Sequence, residues 1–563
     1  MKTIWCSILS MIFLWPALSL AENYMVKGEM GATIRYELQE QITSGSGMNK
    51  MVLSFVKPQT FQSPTYSQEI KNFKLAFSPE PQERNTHNDF RGNEIVTATW
   101  INPPQVITVR LSCDALSETK LPTLTTRDPF PLAGIDPAMK DYLKPTEQAQ
   151  ADHPRIRELA SQLTAGVTTE FDAVQRVISW VVDHVRYVTP PVQYDAMYSL
   201  ESGKGNCQNY SHLSAALLRA VGIPVRIING VTLNQPFNIV MDKGVLTIKM
   251  GQGRHSWIEV WFPQLGWVPF DPQNTMLFVS NRFVRVEVGV DNNETKNDGL
   301  FRWAQLQGAQ QPKLQESISA SFDSDKIDVK GNKQNYGPKN LLLSPLVKAE
   351  FKQIEVVPPP PPPVITEKVK KKLRYNMPFT YGNLEYPEDI DFAFPRTTKD
   401  AGKNQFEMSR NFLVETAEYV TTNLTQYAQI VVLQKPVKLK KIGLALHKFG
   451  GDGLLWVDLF EDNKGKPGKP MGASDFINLE QLSLKPGYRW ADFNFSKENL
   501  ILMPGAYWIA LGFTGSPIVN WFYTYGKPVG PVDGTRYKGV FQDEWSGALN
   551  YEFNYRLVGL TTK

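Results

Sequence analysis

Apolar and polar side chains alternate over short runs between residues 22 and 139. Two such runs are TIRYEL (33–38) and MVLSF (51–55), and clusters of Gly, Pro, Ser and Asn separate the runs. A period of two indicates a strand with one buried face, and such clusters are typical of turns. Residues 22–139 are therefore predicted to form a β-sandwich, and no pattern within them indicates chemistry.

Near residue 140 the period changes to that of a helix. Apolar positions recur every three or four residues after Pro154, again after a cap at Thr168 or Thr169, and again after Cys207. The third pattern stops at the sequence GIP (222–224). A glycine followed by a proline is the usual order just beyond a helix. Cys207 is therefore predicted to be the first residue of a helix.

A β-hairpin is predicted next. The sequence HSWIEVWF (255–262) alternates, PQLG makes a turn, and WVPFD (267–271) returns as the partner strand. Ile258, Val260 and Phe262 share one face, so His255 lies on the other face. The helices and this hairpin together predict a mixed core over residues 140–290.

The rest of the chain is predicted as a linker and a second β-domain. Residues 291–379 are polar and irregular, and 358–363 is a run of prolines that would form a stiff polyproline II spacer. Short strands return over 380–563, which predicts a second sandwich of the jelly-roll type. The predicted fold class is therefore α+β, a core flanked by an N-terminal and a C-terminal β-sandwich.

The first residues have the pattern of an export signal. Lys2 precedes an apolar run from Ile4 to Leu14, and Ala21 ends a stretch of small residues at the usual cleavage position. Residues 1–21 are therefore predicted to be a signal peptide. A membrane anchor is the alternative, but the run is short for a bilayer, and no later segment has 18 uninterrupted apolar residues. The mature chain is expected to be exported (periplasmic, cell-surface or secreted) and to have no transmembrane helix.

Net charge, histidine spacing and cysteine content limit which partners, metal sites and disulfides can be predicted. The 60 basic and 56 acidic side chains give a net charge of +4, too small to indicate nucleic acid or a membrane surface as a partner. The histidines lack metal-ligand spacing, so neither a metal nor a cofactor is predicted. Of three cysteines, Cys6 lies in the predicted signal peptide. Cys113 lies in a strand pattern typical of a buried thiol, although a disulfide with Cys207 is an alternative.

Cys207 has the environment of a reactive thiol. The exposed N–H groups and the dipole at a helix N-terminus favour a thiolate and can receive an oxyanion. A small apolar residue at a helix start is the alternative interpretation.

The register of the hairpin decides whether an aspartate meets the histidine. If Trp261 pairs with Trp267, Asp271 shares the face of His255 and is its diagonal neighbour. If the pairing shifts by one residue, Asp271 points to the opposite face. Interaction between the two side chains therefore requires the first register or a bulge. Taken singly, a structural histidine and a turn aspartate remain the alternatives.

A Cys at a helix start, a His on a later strand and an Asp on the next strand, in this order, resemble the core of the transglutaminase-like (papain-type) superfamily. The resemblance covers about residues 140–290. It is carried by three blocks, GKGNCQNYSHLSAALLRAVGIPVR (203–226), RHSWIEVW (254–261) and GWVPFDP (266–272). Together the blocks are specific, although each alone is weak.

The resemblance implies thiol acyl chemistry. Cys207 would attack the carbonyl of a glutamine side chain or a peptide bond, His255 would hold the proton and deliver it to the leaving amine, and Asp271 would orient His255. The acyl-enzyme would pass to water or to an amine, which gives hydrolysis, deamidation or cross-linking.

Further site residues follow less directly. The backbone N–H of Cys207 is one expected oxyanion donor, and Gln193 and Tyr194, in the loop before it, are weaker predictions for a second. Trp257, on the His255 face of its strand, is the predicted substrate contact.

The expected partner is a protein or peptide substrate, such as a cell-envelope protein. The alternative is a non-catalytic binding or scaffold protein that kept the fold.

Trp521, Tyr523 and Tyr525 alternate in the C-terminal sandwich. If exposed, they would suit a polysaccharide contact, but an aromatic core is the preferred interpretation.

Overall fold

The structure is a computed structural model that describes most of the chain. The described residues are 23–124, 126–188, 191–241, 244–273, 276–306, 309–334, 342–343, 373–382, 389–390, 395–402, 405–410, 416–419, 425–484, 488–525, 534–545 and 547–562. The predicted signal peptide and the proline run at 358–363 lie outside these residues.

The alternating pattern near the amino terminus forms strands, as predicted. They are β1 (Asn23–Thr43), β2 (Met48–Val56), β3 (Phe61–Gln62), β4 (Tyr66–Ser78), β5 (Glu83–Asn88), β6 (Glu94–Ile101) and β7 (Val106–Leu121). Every second residue of β7 is buried, and Ile107, Val109 and Leu111 pack in one cluster with Tyr36 and Phe55.

The three predicted helices of the core are present, and a short helix lies between the last two. The helices are α1 (Pro154–Leu163), α2 (Glu170–His184), α3 (Ala196–Ser202) and α4 (Cys207–Ala220), after a 3₁₀ helix at Pro137–Leu143. The strands are β8 (Arg186–Tyr187), β9 (Lys204–Gly205), β10 (Val225–Thr232), β11 (Phe237–Met241), β12 (Gly244–Ile248), β13 (Gly253–Phe262), β14 (Gly266–Phe270) and β15 (Phe283–Gly289). Thr169 caps α2, since its hydroxyl accepts from the backbone N–H of Asp172 at 3.3 Å.

The predicted irregular linker contains strands, and for residues 300–334 that prediction was wrong. The strands are β16 (Leu300–Gln305), β17 (Lys313–Gln334) and β18 (Leu342–Leu343). β17 pairs antiparallel with β1 along its whole length, from Thr43 with Lys313 to Asn23 with Gln334. Most side chains of β17 are exposed. Main-chain hydrogen bonds to β1, rather than burial of an apolar face, therefore hold this strand in place. For the same reason its sequence shows no clear alternation of apolar and polar residues.

The C-terminal part is built of strands, with short 3₁₀ helices at Leu479–Gln481 and Ser496–Glu498. The strands are β19 (Met377–Gly382), β20 (Asp389–Ile390), β21 (Pro395–Gly402), β22 (Gln405–Arg410), β23 (Thr416–Tyr419), β24 (Thr425–Leu433), β25 (Val437–Gly450), β26 (Gly453–Asp462), β27 (Pro467–Ala473), β28 (Ile477–Asn478), β29 (Tyr488–Asn494), β30 (Ile501–Leu502), β31 (Gly505–Gly515), β32 (Ile518–Tyr525), β33 (Thr535–Gly539), β34 (Ala548–Leu549), β35 (Tyr551–Phe553) and β36 (Tyr555–Thr561). Trp521 and Tyr523 are buried in the apolar core, which confirms the preferred interpretation for these two residues. The side chain of Tyr525 lies outside the described part.

The sheets cross the predicted domain boundaries. One sheet has the order β3-β4-β7-β1-β17-β11-β12-β34, and another has the order β21-β22-β16-β2-β6-β5. Within the C-terminal part, sheets run β19-β36-β25-β29-β20 and β27-β26-β31-β24-β33. Because strands from the N-terminal, core and C-terminal segments share one sheet, the flanking segments are not the separate sandwiches that were predicted.

The candidate site is framed by an antiparallel sheet in the order β14-β13-β10-β15. Helix α4 packs against one face of it, and α1 and α2 pack on α4. On this face Ile227, Ile258 and Val260 join an apolar cluster with Val177 and Leu217. Burial of such side chains contributes roughly 1.5–3 kcal/mol each, so this cluster fixes α4 against β13. In the described part of the chain, no helix is long and apolar enough to cross a membrane.

Candidate active site

Cys207 is the first residue of α4, as predicted, and the turn before it is built for that position. The side chain of Asn206 caps the helix and accepts from the backbone N–H of Gln208 at 3.1 Å. In return, Oδ1 of Asn209 accepts from the backbone N–H of Asn206 at 3.1 Å. A Cβ on Gly205 would lie 2.2 Å from the Cβ of Asn209, so only glycine leaves room for this reciprocal cap.

His255 and Asp271 are hydrogen-bonded. Strands β13 and β14 pair Trp261 with Trp267, so the register required for this interaction is confirmed. Nε2 of His255 and Oδ2 of Asp271 are 2.9 Å apart. The other oxygen, Oδ1, accepts from the backbone N–H of Gln273 at 3.1 Å. Both oxygens of the carboxylate are thus engaged, and its orientation toward the imidazole is fixed.

Cys207 completes a chain of interactions through the imidazole. Its side chain hydrogen-bonds to His255, and since Nε2 faces Asp271, Nδ1 is the nitrogen that remains for sulfur. All three side chains are fully buried. Burial alone lowers the pKa of His255, but the charge and hydrogen bond of Asp271, followed by the interactions with Cys207, raise it to about 10. The imidazole is therefore protonated at neutral pH, the state that pairs with a thiolate.

Aromatic rings cover His255. Trp257 stacks on the imidazole with ring centroids 6.0 Å apart, and Phe283 lies at 5.7 Å. A Cβ on Gly230, in the neighbouring strand β10, would lie 2.5 Å from the Trp257 ring, so a glycine is needed there. Trp257 is 1% exposed. It packs on the histidine rather than on an open surface, and its role as a substrate contact remains a prediction.

The loop with the predicted oxyanion residues is tied to α4. The carbonyl oxygen of Gln193 accepts from Nδ2 of Asn209 at 3.1 Å, while the Gln193 side chain is exposed. The carbonyl oxygen of Tyr194 accepts from Nδ1 of His212 at 2.6 Å, because Nε2 of that histidine accepts from the backbone N–H of Asn292. Burial lowers the pKa of His212. The oxyanion roles of Gln193 and Tyr194 remain predictions.

A buried ion cluster lies on the same face of β13 as His255. Glu259 is fully buried, and its carboxylate lies 2.5 Å from Arg226 and 2.8 Å from Arg285. Burial raises the pKa of Glu259, but the charges of Arg226 and then Arg285 outweigh burial and lower it. The alternation of residues 255–262 puts Glu259 on the face of His255, and the sequence pattern indicated no role for it. The ion cluster could not be read from the sequence, because Arg226 becomes the direct partner of Glu259 only through the pairing of β10 with β13.

The two cysteines that remain after the predicted signal peptide are not linked by a disulfide. Cys113 and Cys207 are both buried and form no disulfide with each other, so the disulfide alternative does not apply. Burial and the nearby Asp114 raise the pKa of Cys113 to about 12, which makes it an inert thiol at neutral pH. Among the described residues, no group of His, Cys, Asp and Glu side chains could hold a metal ion.

A buried cysteine at a helix start, facing a histidine held by an aspartate on neighbouring strands, is the arrangement of papain-type thiol enzymes. Residues 157–272 match the family model described as the transglutaminase-like superfamily. The match contains Cys207, His255 and Asp271.

Two relatives each match 21% of this chain. The uncharacterized protein YebA of Bacillus subtilis (strain 168) is 31% identical over 126 residues, which is 21% of this chain and 17% of YebA. The uncharacterized protein ML0607 of Mycobacterium leprae (strain TN) is 31% identical over 122 residues, 21% of this chain and 40% of ML0607. The chain thus spans less than half the length of either relative.

Among solved structures, a candidate cysteine protease from Cytophaga hutchinsonii is 16% identical, with a TM-score of 0.38. The match covers 56% of this chain and 95% of that protein.

Proposed function

We propose that the protein is an exported thiol enzyme that acts on amides of proteins or peptides through an acyl-enzyme at Cys207. The observation that carries this proposal is the chain of hydrogen bonds from Cys207 to His255 and on to Asp271, with 2.9 Å between the last two side chains. The match of residues 157–272 to the transglutaminase-like family model supports it.

In the proposed reaction the sulfur of Cys207 attacks the amide carbonyl carbon. A C–S bond forms and the π pair of the carbonyl moves to its oxygen. When that pair returns, the C–N bond breaks, and protonated His255 gives its proton to the leaving amine. Asp271 keeps the imidazole oriented and stabilises its charge. Water or a second amine, deprotonated by His255, then attacks the thioester and releases the sulfur. The acceptor decides between hydrolysis or deamidation and cross-linking.

A second candidate function is a non-catalytic binding or scaffold role. The full burial of Cys207 favours it, because a substrate carbonyl must reach the sulfur before any reaction. A polysaccharide contact by the C-terminal strands belongs to this candidate. Trp521 and Tyr523 would not form it, since both are buried.

Two measurements on the full chain separate these candidates. We expect iodoacetamide to alkylate Cys207 near neutral pH faster than a model thiol, and we expect the Cys207→Ala variant to lose ammonia release and amine incorporation on mixed cell-envelope proteins. Cys113→Ala is the matched control, because this thiol is buried and its raised pKa keeps it protonated at neutral pH. This variant should change neither result. Slow alkylation, together with unchanged activity in Cys207→Ala, would reject the enzyme.

A further inference from the structure

Asn206, immediately before Cys207, has a polar atom that the fold does not use. Its side chain is fully buried, and within the described residues its Nδ2 has no hydrogen-bond acceptor. A buried N–H group without an acceptor is unfavourable, so such groups are rare and often mark a functional site.

The orientation of this amide is fixed by the helix cap. Oδ1 of Asn206 accepts from the backbone N–H of Gln208, and the capping box adds the N–H of Asn209. An amide oxygen must face those donors, so the NH₂ group occupies the other position. Both atoms are bonded to the same carbon, and Nδ2 therefore lies at the N-terminal end of α4, beside Cys207.

We infer that Nδ2 of Asn206 is an oxyanion donor for the acyl transfer at Cys207. This inference rests on the proposed function. When the sulfur adds to the carbonyl carbon, the π pair moves to the carbonyl oxygen, and that oxygen becomes the acceptor that Nδ2 lacks in the free protein. When the pair returns and the leaving group departs, the hydrogen bond weakens again. A donor that gains its partner only in the transition state accelerates the reaction.

Gln193 and Tyr194, the weaker predictions for a second oxyanion donor, lie in the loop before α4. The backbone carbonyl oxygens of Gln193 and Tyr194 are acceptors in hydrogen bonds with Asn209 and His212, and the Gln193 side chain is exposed. Asn206, in contrast, is buried and is adjacent in sequence to the nucleophile. The helix cap engages Oδ1 of its amide and leaves Nδ2 available to donate.

Two reactions of the same thiol test this assignment. Acylation by 4-nitrophenyl acetate develops an oxyanion, whereas alkylation by iodoacetamide displaces iodide and develops none. In the full-length Asn206→Gly variant, we expect the acylation rate constant to fall by about 10²–10³-fold, the usual effect of losing one oxyanion donor. Alkylation should stay within about threefold of wild type, since glycine weakens an N-cap only slightly. Any restriction on access to the buried sulfur affects both reactions and cancels in their ratio.

Further variants keep the test decisive. Asn206→Asp retains the cap oxygen and loses the donor, so its ratio of acylation to alkylation should fall as well, even if the glycine variant folds poorly. Asn478→Gly removes a cap amide in the C-terminal part, where the side chain accepts from the backbone N–H of Glu480, and should leave the ratio unchanged. An unchanged ratio in the two Asn206 variants, or equal losses in both reactions, would overturn the assignment. If Cys207→Ala is still acylated by 4-nitrophenyl acetate at the wild-type rate, the proposed function itself fails instead.

Discussion

Replacing Asp271 by asparagine should greatly weaken proton binding at His255. The wild-type imidazole is fully buried, and burial by itself lowers its pKa below the usual 6.5. The charge and hydrogen bond of Asp271 are the main causes that raise the pKa to about 10. Asparagine has nearly the same shape but no charge, so the variant should lose most of this effect.

The size of the effect follows from these values. A fall of the His255 pKa from about 10 to 6.5 or below corresponds to about 5 kcal/mol of interaction, because one pKa unit is about 1.36 kcal/mol. At pH 7 the imidazole would then be largely neutral. A neutral imidazole cannot pair with a thiolate, so alkylation of Cys207 at pH 7 should also slow, by about 10²-fold or more.

The assay is an NMR titration of protein labelled at the Cε1 position of histidine. The sequence has six histidines, and the signal that is missing in His255→Gln identifies the one of interest. Asp128→Asn is the matched control, because it makes the same chemical change at another buried aspartate of the chain. This control variant should leave the pKa of His255 unchanged.

The reasoning would be refuted if the His255 signal titrated near 6.5 in wild type. A change of less than about one pKa unit in Asp271→Asn would refute it too, since the carboxylate would not be the group that holds the proton.

Two further predictions concern stability. Burial and the nearby Asp128 raise the pKa of Glu170 from 4.5 to about 9, so the folded protein holds a proton that the unfolded chain loses. This stabilisation is complete below about pH 4.5 and is lost as pH rises toward 9. Glu170→Gln should therefore be about 3 kcal/mol more stable than wild type at pH 7, and urea denaturation at pH 5 and 8 should show a flatter pH dependence; an unchanged dependence would contradict the assignment. Glu259→Gln leaves Arg226 and the buried Arg285 without their carboxylate and should cost about 3–5 kcal/mol in the same assay. The exposed Glu118→Gln serves as its control and should cost less than about 1 kcal/mol, and equal losses would contradict the buried-pair interpretation.

The parts of the site that depend on local rules could be predicted from the sequence. The GIP terminator and the helical spacing placed Cys207 at a helix start, and the alternation of residues 255–262 placed His255 on its face. The interaction with Asp271 depended on the hairpin register. The sequence allowed two registers, and the structure has the one that pairs Trp261 with Trp267.

Features that depend on distant partners could not be read in the same way. Most of β17 is polar on both faces, so it resembles a linker until its pairing with β1 is known. The unpartnered Nδ2 of Asn206 was also missed, because the sequence does not reveal which side-chain atoms at a helix start remain without an acceptor.

The ladder between β1 and β17 also constrains how the chain folds. Its nearest pair joins Thr43 to Lys313 and its farthest joins Asn23 to Gln334, so more than 260 residues separate the two strands. Closing such a long loop is slow, and β1 presents an unpaired edge until β17 has been synthesised and has docked. An unpaired edge strand is a site for aggregation. A recombinant fragment that ends near residue 290 keeps the whole segment matched to the superfamily but removes β17, and it would leave this edge permanently open.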